Sequence, residues 1–167
     1  MTKLFSLGHS SMALRNVVAA RCLSTSGLNS AAASTGAGGK SKNLVLVDGV
    51  RTPFLMASTQ YKNLWPHDLQ RMALVGLLQR TGFDKDLVEY ICCGTVIQEV
   101  KTANIAREAT LGAGFSDRVP AHTVTMACIS SNAAITSCLG YMSQGVYDVC
   151  IAGGVEFMSD VPIRHSR

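Results

Sequence analysis

The first 47 residues contain no Asp or Glu, although Lys3, Arg15, Arg21, Lys40 and Lys42 lie among them. With five of the 15 Lys+Arg in that stretch, ten remain against 11 Asp+Glu, so the net charge of +4 belongs to the N-terminal leader. The nearly neutral remainder carries no electrostatic footprint for a nucleic-acid partner, and none is expected. Uninterrupted apolar runs are also missing. A membrane-spanning helix needs about 20 such residues and a secretory signal needs one continuous apolar core; Lys3, His9, Ser10, Ser11 and Arg15 break up the region where either would sit. Six cysteines are present without a single C-x-x-C pair, which removes the usual spacing of a structural zinc site. No G-x-G-x-x-G occurs either. The string GAGGKS at 36–41 ends like a phosphate-binding loop, but its first glycine would fall on Ser34 and no strand precedes it, so no phosphate cradle is expected.

A chain that is 47% hydrophobic and 16% charged over 167 residues is globular, with enough apolar mass for one core. Its leader is basic, acid-free and rich in Ser and Ala, and Leu4, Phe5, Met12, Leu14, Val17 and Val18 can form an apolar helical face. That composition is a mitochondrial transit peptide. Residues 24–42 are Ser, Ala, Gly and Thr with almost nothing to bury and read as disordered, with cleavage in or just before them. The expected organisation is therefore a transit peptide and disordered leader over 1–42 and one domain over 43–167, apparently truncated. A matrix address implies a reducing compartment, so the cysteines are expected to be free thiols, most of them small buried hydrophobes.

Along the domain, NLVLVD at 43–48 predicts a first strand ending at Gly49. A helix follows from Pro66, with Leu69, Met72, Ala73, Gly76 and Leu77 on its buried face and Gly82 as its stop. A short helical turn is expected over 84–88 and a buried strand over 90–98, YICCGTVIQ. Then come a helix over 103–111, a strand over 121–126, a small-residue helix over 132–143 with Ile135, Leu139 and Met142 inward, and a strand over 149–152. Strands alternating with helices predict a layered α/β sandwich with a mostly parallel sheet.

Cys128 stands directly after a predicted strand and at the start of a helix. Unpaired backbone N–H groups and the helix dipole favour negative charge at such a position. Position alone leaves open a buried structural cysteine. The histidines are read as structural or solvent-facing: His122 within a strand run and His67 near a helix start, with His165 two residues from the end of the chain. Arg107 and Glu108 are read as an exposed helix pair, with contact to a ligand or a subunit as the other possibility. Gly153 and Gly154 are read as a tight turn that permits close packing.

Five motifs then set the context: RTPF at 51–54, GTVIQ at 94–98, NIARE at 104–108, TMACISSNAA at 125–134 and AGGVEFMS at 152–159. Their order and spacing resemble those of thiolases across nearly all of the chain after the leader. Most thiolases carry C-x-S-G at the nucleophile, whereas this chain reads Cys128, Ile129, Ser130, Ser131, Asn132. That departure, together with VPIRHSR at 161–167, is similar to the branch that forms the beta subunits of fatty-acid trifunctional enzymes. The resemblance implies a thiolase-like N-terminal domain, with Cys128 as catalytic nucleophile in Claisen-type thiolysis of 3-ketoacyl-CoA, the last step of a β-oxidation cycle. It implies CoA and acyl-CoA as substrates, with no metal and no bound organic cofactor. It further implies an alpha-subunit partner, self-association through the thiolase dimer, and a mitochondrial matrix location with peripheral inner-membrane contact. In the family, the activating histidine and a second cysteine lie in the C-terminal half, and no motif for either occurs here. Two other readings stand beside this one: a condensing acyltransferase of the same superfold, and a truncated, non-catalytic chain acting only through assembly with full-length subunits.

If the leader is a transit peptide, residues 1 to about 25 carry a fused reporter into mitochondria and their removal leaves it in the cytosol. Imaging is the check; import driven by residues 44–167 alone refutes the assignment.

Overall fold

The computed structural model describes residues 43–159 and 161, together with the backbone of residues 17–23. Its elements are β1 (Val17–Leu23), β2 (Asn43–Val50), α1 (Pro66–Thr81), β3 (Tyr90–Gly94), α2 (Ile105–Gly112), β4 (Ala121–Val124), α3 (Ser130–Ser143) and β5 (Val149–Gly154), with a 3-10 turn at Lys85–Leu87. They build a five-stranded sheet in the order β2-β1-β5-β3-β4. Strands β5, β3 and β4 are parallel, and β1 runs antiparallel to both β2 and β5. Four strands thus share one direction, as the predicted mostly parallel sheet requires.

Both faces of the sheet are covered, which is why β3 and β5 read as nearly continuous apolar runs. Strand alternation sorts their side chains. Ile91, Cys93 and Ile151 point to one face, where Leu74 and Leu77 of α1 and Ala106 and Ala109 of α2 close a core. Tyr90, Cys92, Cys150 and Ala152 point to the other and meet Ala134, Cys138 and Met142 of α3. The result is three layers with the sheet in the middle. Burying Leu74 and Leu77 contributes about 1.5–3 kcal/mol each to folding.

Helix α1 starts and stops where the sequence predicts. Pro66 takes the first helical position, the Trp65 N–H donates to Asp68 Oδ2 at 3.1 Å, and Gly82 closes the helix with φ 62°. That left-handed conformation is the one a C-terminal glycine supplies without a Cβ clash. Asp84 caps the 3-10 turn by accepting the Asp86 N–H at 3.0 Å.

Several expectations change. On α1, Leu69, Ala73 and Leu77 are buried, but Met72 is exposed and Gly76 only partly covered, while Gln70 and Leu74 take their places inside. The stripe keeps Leu69, Ala73 and Leu77 but turns toward the Gln70 and Leu74 side, where Leu74 and Leu77 reach β3 and α2 together. On α3 the inward residues are Ala133, Ala134, Cys138 and Met142; Leu139 faces out and Ile135 is only partly covered. Small residues go inward there because the helix lies close against the sheet. The strand expected over 90–98 ends at Gly94, and the strand expected over 121–126 ends at Val124. Val17 and Val18, placed above on a helical face, belong to strand β1, in keeping with their β-branched side chains. Leu4, Phe5, Met12, Leu14 and the stretch 24–42 lie outside the described residues.

Leu77 is 2% exposed and Met72 is 43% exposed on the same helix. Leu77→Asp buries an unpaired carboxylate and is expected to cost several kcal/mol, on the order that abolishes soluble expression, whereas Met72→Asp costs about 1 kcal/mol or less. Soluble yield and thermal unfolding of the two variants provide the check; equal behaviour refutes the buried face.

Candidate active site

A cleft of about 540 Å³ opens at the C-terminal ends of β3 and β5, lined by residues from 52–57, 94–96, 127–128, 130–131 and 154–159. Four of the five sequence motifs meet there. Ligand sites in open parallel sheets favour this position, because the strand ends and helix N-termini face it. The fifth motif, NIARE, lies outside the cleft. Asn104 caps α2 by accepting the Arg107 N–H at 3.2 Å, and its amide donates to the Ala121 carbonyl at 3.0 Å, fastening α2 to β4.

Cys128 is exposed in the cleft, in the turn that joins β4 to α3, whereas Cys92, Cys93, Cys138 and Cys150 are buried. The turn is tight. Ala127 adopts φ 46°, a left-handed conformation that costs a non-glycine residue about 1–3 kcal/mol and persists only where surrounding bonds enforce it. Ser130 does so. Its Oγ accepts the Met126 N–H at 2.8 Å and donates to the Ala127 carbonyl at 2.6 Å, while the Ile129 N–H reaches the Met126 carbonyl at 3.2 Å. No side chain caps α3, and its first residues, Ser130 and Ser131, line the cleft with Cys128, so the positive end of the helix dipole lies beside the thiol.

Glycines make room for this turn. A Cβ on Gly94 would lie 2.3 Å from the Ser130 carbonyl carbon and 2.4 Å from the Ser131 nitrogen. A Cβ on Gly154 would lie 1.9 Å from Ser131 Oγ. Gly153 and Gly154 are therefore the buried end of a strand rather than a tight turn, and close packing is what they permit. Ser131 and the Gly94 carbonyl oxygen, 2.8 Å from the same point, together fill the space that a side chain at 154 would need.

Three of the buried thiols, those of Cys92, Cys93 and Cys138, are held in their protonated form. Burial, with a contribution from Cys150, pushes Cys92 up to about 11. Cys93 is raised by burial and Cys138 by its hydrogen bond to Cys150 and by burial. Buried thiols of this kind are poor nucleophiles at neutral pH.

Neither His67 nor His122 lines the cleft. His122 sits between Tyr90 and Cys92, with the Tyr90 hydroxyl at Nδ1 and Cys92 Sγ 3.6 Å from Nε2. His67 Nδ1 lies 3.8 Å from Glu108 Oε2. His165 falls outside the described residues. Arg107 and Glu108 are part-buried rather than an exposed pair, and Arg107 donates to the Val119 carbonyl at 2.7 Å and the Asp117 carbonyl at 2.8 Å. It braces the loop before β4. Among the described residues no group of three or more His, Cys, Asp or Glu could hold a metal ion, and no helix is long and apolar enough to cross a membrane.

The sequence reading passed over Glu156. Its side chain lines the cleft and ties together the segments that follow β3 and β5. The available signal was a carboxylate two residues beyond a Gly-Gly strand end, where an acid gains nothing from packing.

Comparison with known proteins places this geometry in a lineage. Residues 44–167 match the thiolase N-terminal domain family. The mitochondrial trifunctional enzyme subunit beta of Bos taurus is 68% identical over 126 residues, 75% of this chain and 26% of the relative, and the Homo sapiens protein is likewise 68% identical, with 27% of it covered. A probable 3-ketoacyl-CoA thiolase of Caenorhabditis elegans is 52% identical over 88% of this chain and 33% of its own length. The chain thus spans about a quarter to a third of the length of these relatives. Among solved structures, the acetyl-CoA acetyltransferase of Bacillus anthracis superposes with a TM-score of 0.63 at 35% identity, over 66% of this chain and 28% of its own. The match over 44–167, with its four motifs gathered at the ends of a parallel sheet, establishes that the chain belongs to the thiolase family.

Proposed function

We propose that this chain is the nucleophile-bearing part of a mitochondrial 3-ketoacyl-CoA thiolase that acts in fatty-acid β-oxidation as the beta subunit of a trifunctional enzyme. One observation carries the reading: an exposed thiol, in an enforced turn at the open end of α3, inside a cleft built from the family's own motifs. The names of the relatives and the thiolase domain support it.

In this reading Cys128 Sγ attacks the 3-keto carbon of a 3-ketoacyl-CoA. The bond between C2 and C3 breaks, its electron pair passes to C2, and protonation there releases acetyl-CoA. The shortened acyl group remains on Sγ as a thioester. A CoA thiol, deprotonated as it attacks, then takes the acyl carbon and returns the Cys128 thiolate. Sulfur suits both steps, being nucleophilic near neutral pH and a good leaving group. The proton transfers need a base and an acid, and by the family resemblance these are a histidine and a second cysteine from the C-terminal half of the full-length protein. CoA and acyl-CoA are substrates, with no metal and no organic cofactor. The same reading brings an alpha-subunit partner, a thiolase dimer, and a place in the mitochondrial matrix with peripheral contact to the inner membrane. The basic, acid-free N-terminal leader supplies the address.

Cys128→Ser in the full-length protein is expected to abolish thiolysis, by about 10³-fold or more, with its fold intact, because a hydroxyl is a far weaker nucleophile than a thiolate at neutral pH. Incubation with a 3-ketoacyl-CoA in the absence of CoA should leave the acyl mass on the Cys128 peptide. The 167-residue chain alone should show no turnover. Normal turnover by Cys128→Ser, or an adduct on a different cysteine, refutes the assignment.

The same geometry fixes an order of thiol reactivity. Near pH 8, iodoacetamide should alkylate Cys128 in the native protein and spare Cys92, Cys93 and Cys138, whose ionisation is pushed upward by burial and by neighbouring thiols. Peptide mass spectrometry reads the result; comparable labelling of Cys92 refutes it.

A further inference from the structure

We propose that Glu156 is a positioning residue of the cleft, its carboxylate fixing the separation of the two walls beside Cys128 and so the alignment of the substrate over the thiol. The proposal rests on the reading of Cys128 as the nucleophile.

The two walls are the segments that leave the sheet after β3 and after β5. The backbone ladder continues one step beyond them, where the Val155 N–H reaches the Gly94 carbonyl at 2.9 Å. Past that point the two segments share no further backbone bond among the described residues. There the Glu156 side chain takes over. Its Oε2 accepts the Val96 N–H at 2.8 Å and its Oε1 accepts the Ile97 N–H at 3.0 Å, so each carboxylate oxygen meets one of two successive backbone donors. Hydrogen bonds to an ionised acceptor are shorter and about twice as strong as neutral ones, and this forked pair also fixes an angle.

Both Val96 and Glu156 line the cleft and both are exposed, so core packing does not account for the contact. The same wall is anchored on its other side, where the Ser58 N–H donates to Ser159 Oγ at 2.9 Å and ties the 52–57 segment to the end of 154–159. Segment 154–159 thereby joins three walls, with Glu156 as its charged link. Preorganisation of this kind matters because a displacement of about 1 Å in a bound reactant can cost about 100-fold in rate.

The test uses the full-length protein with Glu156→Gln and Glu156→Asp. Glutamine offers one acceptor oxygen and turns an amide N–H₂ toward the second donor, so half of the fork is lost. Aspartate keeps both acceptor oxygens on a shorter arm. Glu156→Gln is expected to lower kcat for thiolysis by about 10-fold or more, with a smaller change in KM, and Glu156→Asp to recover part of that loss. The rate at which iodoacetamide alkylates Cys128, a reaction that needs no aligned substrate, should stay within about twofold of the parent. A kcat within about twofold of the parent in Glu156→Gln overturns the proposal. So does a parallel fall in alkylation, which would mean that the turn around Cys128 has collapsed. Cys128→Ser runs alongside: if it turns over normally the nucleophile reading fails, whereas an inactive Cys128→Ser beside a fully active Glu156→Gln removes only the positioning role.

Discussion

The site depends on how closely the first turn of α3 sits against the ends of β3 and β5. At Gly94 and Gly154 the helix occupies the space where side chains would project, with Ser130 backbone atoms and Ser131 Oγ lying 1.9–2.5 Å from the missing Cβ positions. At Gly94 these neighbours are backbone atoms, which cannot yield by a few tenths of an ångström, and at Gly154 the Gly94 carbonyl oxygen lies 2.8 Å away behind the serine side chain. Everything functional follows from that seat. The strand that precedes Cys128 and the helix that follows it must meet in a short turn, Ala127 is forced into a left-handed conformation, and the thiol is delivered to the mouth of the sheet rather than into its core. The inward face of α3, built from Ala133, Ala134 and Cys138, continues the same requirement along the helix.

Much of this arrangement was legible in the sequence, because its signals are local. Pro66 and Gly82 bracket α1, a β-branched run marks β2, and glycines end the strands. The errors also share a cause. Met72 and Leu74 are both apolar and close together, and only the position of β3 and α2 decides which one faces inward. Likewise the apolar run YICCGTVIQ gives no sign that pairing stops at Gly94; it stops because the arrival of α3 over that glycine turns the chain into the cleft wall. The strand at Val17–Leu23 was missed for a different reason, since its place in the sheet is a matter of long-range pairing with β2 and β5 that local composition does not encode.

Cysteine content alone would have misled. Four buried thiols surround the sheet, and three of them are raised in pKa by desolvation, by one another or by hydrogen bonding, so their chemistry is suppressed by the packing that makes them good core residues. Cys128 differs in position rather than in composition. It belongs to the turn and not to a strand or helix face, so the elements on either side of it set it apart from the buried thiols.

Nucleophile and proton relay also differ in how they can be encoded. Placing a thiol at a helix N-terminus takes a strand end, a tight turn and two glycines, all within one domain, and a single stretch of chain can specify it. Moving protons takes further groups beside the same sulfur, and neither described histidine lines the cleft: His122 is enclosed by Tyr90 and Cys92, and His67 lies beside Glu108. Among the described residues Glu156 is the carboxylate that lines the cleft, and both of its oxygens accept backbone N–H groups of the facing segment.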